Sequence, residues 1–285
     1  MIDSIQPETV REYLSRFLQE DIGPGDYSAL ACLDPNLSGE SVILLKDDGV
    51  LAGLEFIQPI LELLDPDIEV SLKAQNGTYY KSGQVLAHVS GNSQAMLSGE
   101  RTVLNLMQRM SGIATKTYQL NELIKPHGCR LLDTRKTAPG LRYFDKLAVA
   151  TGGGVNHRYG LFDMVMIKDN HIDHAGGISK AIENCVHYLK DNNLSLNIEV
   201  ETRNMEEVEQ VMKHPEVFRI LLDNFSPQSM REAVRFIDGK KETEASGGIT
   251  EDSIESYART GVDYISVGAL THSVKSLDIS MKHSK

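Results

Sequence analysis

The sequence predicts an α/β protein in two parts, a small mixed α/β unit followed by an incomplete, TIM-like (β/α) barrel. Two patterns carry that prediction. After Cys129, short apolar strands alternate with helical segments six times, the order expected of parallel βα units. Ahead of Gly91, three strand-like runs surround one short helix, which suits a separate mixed sheet. A chain of 285 residues that is 41% hydrophobic and 24% charged can bury one large core or two modest ones.

The elements follow in order. From Pro7 to Asp21 the residues Val10, Tyr13, Leu14, Phe17 and Leu18 recur at helical spacing, with Gly23 beyond the end, so this is an amphipathic helix. SVILLKD from Ser41, IEVSLKA from Ile68 and QVLAHVS from Gln84 read as strands, Leu54 to Leu64 as a helix, and Asn76-Gly77 as a turn. A helical stretch follows from about Ser93 to Lys125. Its poor propensity at Ser111-Gly112 predicts an interruption there, a bend or a domain junction, and the domain boundary is placed at that point. The expected domains are 1–112 and 113–273, with 274–285 a tail that is loose or returns to the first domain. Beyond Cys129 the strands LLDT, MVMIKD, NIEVET, RILLDN, ETEASGG and DYISVGA start at residues 131, 164, 197, 219, 242 and 263. Spacings of about 21 to 33 residues suit a barrel, although six strands fall short of eight.

Composition narrows the function. A net charge of -11 disfavours nucleic acid or an anionic membrane as a general partner. The segment from Ser98 to Lys168 is nevertheless +6, leaving -17 for the remainder. Solvated helix faces also collect charge, so two readings stay open at this point, an ordinary surface and a pocket for a small polyanion. Cys32, Cys129 and Cys185 are odd in number and contain no CxxC pair, which argues against a disulfide framework or zinc ribbon. Charged residues interrupt the first twenty positions, and no later run is apolar enough to span a bilayer. The expectation is a cytoplasmic protein.

The barrel strands end on Arg135 and Lys136, Lys168, Glu201, Asp223, Ser246 and Gly268, and in parallel α/β folds that rim carries the active site. Strand ends also carry helix caps and surface ion pairs, but six coincidences favour a site. Arg binds carboxylate or phosphate with a planar fork, and Lys acts as a point charge. His157 and Arg158 follow the triple glycine Gly152 to Gly154, whose amides can approach an anion closely. That glycine run has neither P-loop nor dinucleotide spacing, which excludes those nucleotide sites. Glu201 and Asp223 close neighbouring strands and could hold Mg²⁺ or stabilise a developing positive charge. His171 and His174 form an HxxH pair without a third ligand at suitable spacing. Ser246 to Gly248 and Val267 to Ala269 supply small residues near helix starts, where barrels often bind phosphate.

EDIGPGDYS from Glu20, GERTVLNLMQRMSGIAT from Gly99, LLDTRKTAPGLR from Leu131, GGGVNHRYGL from Gly152 and IKDNH from Ile167 are followed by EVE, LLDN, EASGGI and VGAL. In this order they resemble the quinolinate phosphoribosyltransferase family, also called carboxylating nicotinate-nucleotide pyrophosphorylases, over nearly the whole chain. The resemblance implies an amino-terminal α/β sandwich and an incomplete barrel, paired head to tail in a homodimer or a hexamer of dimers. It implies quinolinate and phosphoribosyl pyrophosphate (PRPP) as substrates, with Mg²⁺, and nicotinate mononucleotide, pyrophosphate and carbon dioxide as products, a step in NAD biosynthesis. It also implies that Arg101 enters the neighbour's pocket, and that Arg135, Lys136, His157, Arg158 and Lys168 bind carboxylates and phosphates. Glu201 and Asp223 would lie by the ribose and metal, with Lys136, Lys168, Glu201 and Asp223 as the catalytic set. Ser246, Gly247, Gly248, Val267, Gly268 and Ala269 would receive phosphate. Ala138 departs from a threonine frequent in the family. The competing readings are a paralogue associated with molybdate transport, a Schiff-base barrel aldolase using Lys168, and a binding protein without turnover.

Overall fold

In the computed structural model, which describes residues 7–284, the amino-terminal amphipathic run is helix α1 (Pro7–Ile22). It buries Leu14 and Leu18 and sets Tyr13 and Phe17 against the ring of Phe144. Asp26 caps α2 (Tyr27–Cys32) by accepting from the Ser28 and Ala29 amides. Strands β1 (Ser38–Leu45) and β2 (Gly49–Val50), helix α3 (Ile57–Glu62), and strands β3 (Glu69–Leu72), β4 (Tyr79–Tyr80) and β5 (Val85–Asn92) follow. The three strands expected from the sequence are β1, β3 and β5, and β5 pairs antiparallel with both others.

Helix α4 (Ser93–Ile124) runs unbroken through Ser111-Gly112, where an interruption was expected. Tertiary contacts explain why. The Ser111 hydroxyl bonds the Ala52 amide and carbonyl at 3.1 and 3.2 Å, and Gly112 lies so close to the backbone at Lys275 that a Cβ would overlap its carbonyl oxygen. Glycine here admits a neighbouring chain rather than breaking the helix. Gly112→Ala is accordingly expected to cost roughly 1–3 kcal/mol by overpacking, measurable as a lowered urea midpoint with an unchanged slope.

The second half comprises β6 (Arg130–Leu132), α5 (Arg142–Thr151), β7 (Val165–Ile167), α6 (Asp169–Ala175), α7 (Ile178–Asp191), β8 (Ile198–Thr202), α8 (Met205–Val211), β9 (Val217–Asp223), α9 (Pro227–Ile237), β10 (Glu242–Ser246), α10 (Glu251–Ala258), β11 (Tyr264–Ser266) and α11 (Ala269–His272). All six expected barrel strands form one parallel sheet in the order β6-β11-β10-β9-β8-β7. Strands β6 and β7 lie at its two edges, so the barrel is open between them, as six strands require. The final strand β12 (Ile279–Ser284) pairs antiparallel with β1.

Two compact units result. One comprises the chain up to Tyr118, Ala138–Gly153 and the part from Ser273 onward, and the other comprises Gln119–Thr137 and Gly154–His272. By their internal contacts the two units meet on α4 at Tyr118/Gln119, a few residues beyond the expected 112/113, and α5 goes with the first unit. Its anchors are Phe144, fully buried beside Phe56, and Asp145, which accepts a bidentate pair from Arg109 at 2.8 and 2.9 Å. Among the described residues no helix is long and apolar enough to cross a membrane.

In the parallel sheet, alternate residues share a face. Glu199 and Glu201 therefore point the same way from β8, as do Arg219, Leu221 and Asp223 from β9, and Glu242, Glu244 and Ser246 from β10. Register sets Arg219 beside Glu199 and Glu242, and Asp223 beside Ser246. On the opposite face Val200, Ile220, Leu222 and Ala245 are apolar and fully buried. One face thus supplies the core and the other carries charge.

Candidate active site

The carboxyl ends of these strands surround a cavity of about 730 Å³, a size suited to a small-molecule site. Every residue of the expected catalytic and substrate-binding set lines it except Arg101, which is exposed on α4 in the first unit; the triple glycine Gly152 to Gly154 and the pair His171 and His174 do not line it. Arg135 and Lys136 follow β6, His157 and Arg158 precede β7, Lys168 follows it, and Glu201 and Asp223 close β8 and β9. Ser246, Gly247 and Gly248 leave β10, while Val267, Gly268 and Ala269 lead from β11 into α11. Thr134, Met166, Leu221, Glu244, Ser266, Ile249 and His272 also line the cavity.

One wall is cationic. Arg158 is half-buried and donates from Nη1 to the Met164 carbonyl at 3.1 Å. Burial, then the nearby charge of Arg135, pulls its pKa down, so the two guanidinium groups repel one another. The Nε of Arg135 is buried and unpaired, a donor left for a ligand. Gly268 leaves room for the Lys136 side chain, since a Cβ there would lie 2.9 Å from its Cδ, and the Lys136 carbonyl accepts from Thr271 at 2.9 Å.

The opposite wall is acidic. Burial, then the charge of Glu201, holds the Asp223 carboxyl above its ordinary range, and Asn224 donates to it at 2.6 Å. Lys168 Nζ bridges the walls with a 3.1 Å ion pair to Glu201. Glu201 and Asp223 together present carboxylate oxygens to the cavity, a donor set that fits a hard cation such as Mg²⁺. Lys168 is 45% exposed and paired, unlike the desolvated amine of a Schiff-base enzyme. At the third wall, Gly247 has φ +99 and a Cβ there would overlap the Asn224 side chain, so glycine is required. Helix α10 begins only at Glu251, which leaves Ser246 at the end of β10 and Gly247 and Gly248 in the loop after it rather than at the helix start.

Beneath the cavity lies a group that sequence reasoning did not assemble. His157 Nε2 meets Glu199 Oε2 at 2.8 Å and Glu244 Oε2 at 3.4 Å. Arg219 reaches Glu244 at 3.3 Å and Glu242 at 2.7 Å. Burial opposes a charge on His157, while hydrogen bonds to Glu199 and Glu244 and their charges act the other way, so the cluster as a whole holds protons more tightly than its members would alone. Burial and the charge of Glu244 push Glu199 up to about 7. Burial raises Glu244 as well, yet its bonds and charge interaction with His157 leave it below the usual range. The Arg158 amide donates to His157 Nδ1 at 2.7 Å, which needs a lone pair there. A charged ring would put a proton on that atom, so the ring proton is assigned to Nε2 and the extra proton drawn by this cluster to the carboxylates. The His157, Glu199 and Glu244 ligand atoms lie within 4.8 Å of one another, but Arg219 already supplies the balancing cation. The available signal was the period-two run Glu199, Glu201 and the same pattern through Glu242, Glu244 and Ser246.

His171 and His174 are exposed and, among the described residues, join no group of metal-ligating side chains. His171 instead caps α6, its Nδ1 accepting from the Lys168 amide at 2.9 Å.

A family model described as the quinolinate phosphoribosyl transferase N-terminal domain matches residues 26–111, and its C-terminal counterpart matches 113–282. The chain belongs to the quinolinate phosphoribosyltransferase family. It is 45% identical over 280 residues to a chloroplastic nicotinate-nucleotide pyrophosphorylase (carboxylating) of Arabidopsis thaliana, covering 93% of this chain and 80% of that protein. It is 42% identical over 273 residues to a probable nicotinate-nucleotide pyrophosphorylase (carboxylating) of Bacillus subtilis, covering 95% and 92%. The solved nicotinate-nucleotide pyrophosphorylase of Francisella tularensis superposes with a TM-score of 0.93 at 36% identity, over 100% of this chain and 99% of that one. The family's amino-terminal α/β domain and incomplete barrel are those found here.

Proposed function

We propose that this family member transfers the phosphoribosyl group of PRPP to quinolinate and releases carbon dioxide, forming nicotinate mononucleotide and pyrophosphate for NAD biosynthesis. The observation that carries the reading is a single cavity with Arg135 and Arg158 on one wall and Glu201 and Asp223 on another. A dianionic pyridine suits the cationic wall, and a transition state with positive charge on the sugar suits the acidic one.

In this reading Arg135, Arg158, Lys136 and Lys168 bind and orient the two ring carboxylates and the phosphates. The ring nitrogen bonds to the anomeric carbon as the bond to pyrophosphate oxygen breaks, and Glu201 and Asp223 stabilise the charge that develops between. Positioning contributes most to the rate. The now cationic ring accepts the electron pair left when the 2-carboxylate departs as carbon dioxide, and that carbon then takes up one proton. Glu201 and Asp223 would hold Mg²⁺, which when bound supplies positive charge to the pyrophosphate oxygens. Ser246 to Gly248 and Val267 to Ala269 receive the 5'-phosphate. His157 stands at the carboxylate end of the site.

The active assembly is a homodimer, alone or within a hexamer of dimers, in which Arg101 completes the neighbouring site. Its exposure on α4 and its absence from the cavity of its own chain support this. A cytoplasmic setting is supported by three free cysteines. The ion-paired Lys168 does not favour the aldolase, and full-length family similarity does not favour the molybdate-transport paralogue.

The test mixes purified protein with PRPP, Mg²⁺ and either quinolinate or nicotinate, and follows nicotinate mononucleotide by chromatography. Product from quinolinate alone is expected. Product from nicotinate alone, or from neither with folded protein, would reject the assignment.

A further inference from the structure

We propose that Glu199 and Glu244 are positioning residues for this reaction, acting through the His157 ring to fix the backbone and guanidinium of Arg158 for the anionic substrate. The inference rests on the functional reading above and adds residues to it. Its basis is a continuous path of contacts. Glu199 and Glu244 converge on His157 Nε2 at 2.8 and 3.4 Å, and the ring's other nitrogen accepts the Arg158 amide at 2.7 Å. The backbone beside it is pinned from below as well. The His157 amide donates to Asp133 Oδ1 at 2.8 Å, and Asn156 donates to its other oxygen at 2.7 Å.

Both ring nitrogens are therefore engaged within the protein, so His157 serves the pocket by holding its neighbour. A carboxylate bonded to one imidazole nitrogen fixes both tautomer and ring orientation. With Nε2–H directed at Glu199, Nδ1 keeps the lone pair that the Arg158 amide requires.

A purely structural account is less economical. Barrel interiors are ordinarily filled by branched apolar side chains, and an ion cluster in that place is often no more stable than apolar packing. Here Glu199 and Glu244 are essentially fully buried and Arg219 nearly so. Arg219 offsets the charge of Glu244 at 3.3 Å, which lets two carboxylates occupy the interior next to a histidine. The arrangement gives rigidity at one point, directly behind the cationic wall.

The test is a double-mutant cycle in the full-length protein with Glu199→Met and Arg158→Ala, reading kcat and the KM of each substrate. Glu199→Met alone is expected to raise the quinolinate KM about tenfold and leave the PRPP KM unchanged. Glu199→Gln, which keeps an acceptor for Nε2–H, restores the wild-type value. On the Arg158→Ala background, Glu199→Met adds no further loss. Additive losses, or equal changes in both KM values, overturn the inference. Glu244→Met, which removes the other acceptor, is a second variant for use if Glu199→Met does not fold, and an unchanged quinolinate KM in it also counts against the inference. Nitrogen-15 spectra of ring-labelled histidine in substrate-free protein supply a readout independent of catalysis. Bare Nδ1 and protonated Nε2 at His157 are expected, and a proton on Nδ1 overturns the inference whatever the substrate. Wild-type protein with the expected spectrum but no turnover of quinolinate would instead overturn the functional reading and leave the ring anchoring intact.

Discussion

Glu201→Gln is expected to lower kcat by about 10²- to 10³-fold, the usual loss when one preorganised electrostatic group is removed from a site, without lowering Tm. Glu201 is only 12% exposed and carries the 3.1 Å ion pair with Lys168. Its charge also holds Asp223 above the ordinary carboxylate range, after burial. The amide keeps the shape of the side chain but removes the charge that, in the proposed mechanism, faces the sugar as pyrophosphate leaves. Two opposing effects reach the folded state. Lys168 loses a partner, but at 45% exposure water replaces it at little cost, while the repulsion on Asp223 is relieved. Steady-state kinetics beside calorimetry separates the outcomes. An unchanged kcat would remove Glu201 from the reacting centre, whereas parallel losses of kcat and Tm would give it a structural role.

Arg135→Ala should raise the quinolinate KM by about 10- to 100-fold, the equivalent of the roughly 1.5–3 kcal/mol carried by a hydrogen bond to a charged group. The substrate-free protein should be no less stable than the wild type. The two halves of this expectation share one cause. Arg135 presents a buried unpaired Nε, and its charge, second to burial, depresses the pKa of Arg158. Without an anion the pair stores repulsion, and a dicarboxylate relieves it. Quinolinate should also raise the Tm of the wild type more than that of the variant at equal ligand concentration. A variant with normal KM and normal ligand-induced stabilisation would place the dicarboxylate elsewhere in the cavity.

These effects trace back to residues that were legible one strand at a time. Arg135, Lys168, Glu201, Asp223 and Ser246 each stand just inside or beyond the end of a short apolar run, and parallel βα units bring such ends to one rim whatever the details of packing. The inner cluster was less visible, although Glu199 and Glu244 alternate with apolar residues in plain view. A strand's alternation says that two side chains share a face, not which residue of the next strand lies beside them. Only register put Arg219 next to Glu199 and Glu242. His157 reached the same point from a loop with no regular spacing at all.

By itself the sequence determined the two-part α/β plan, the six parallel strands, the open barrel that six strands imply, and the charged rim, because each follows from local periodicity and element order. The tertiary structure alone decided that α4 continues through Gly112, that α5 belongs with the first unit through Phe144 and Asp145, and that the carboxyl-terminal strand pairs with β1. It also decided which buried charges meet at His157. All of these depend on the close approach of segments distant in the chain, where a missing Cβ at Gly112 or the register of β9 against β8 outweighs any local preference.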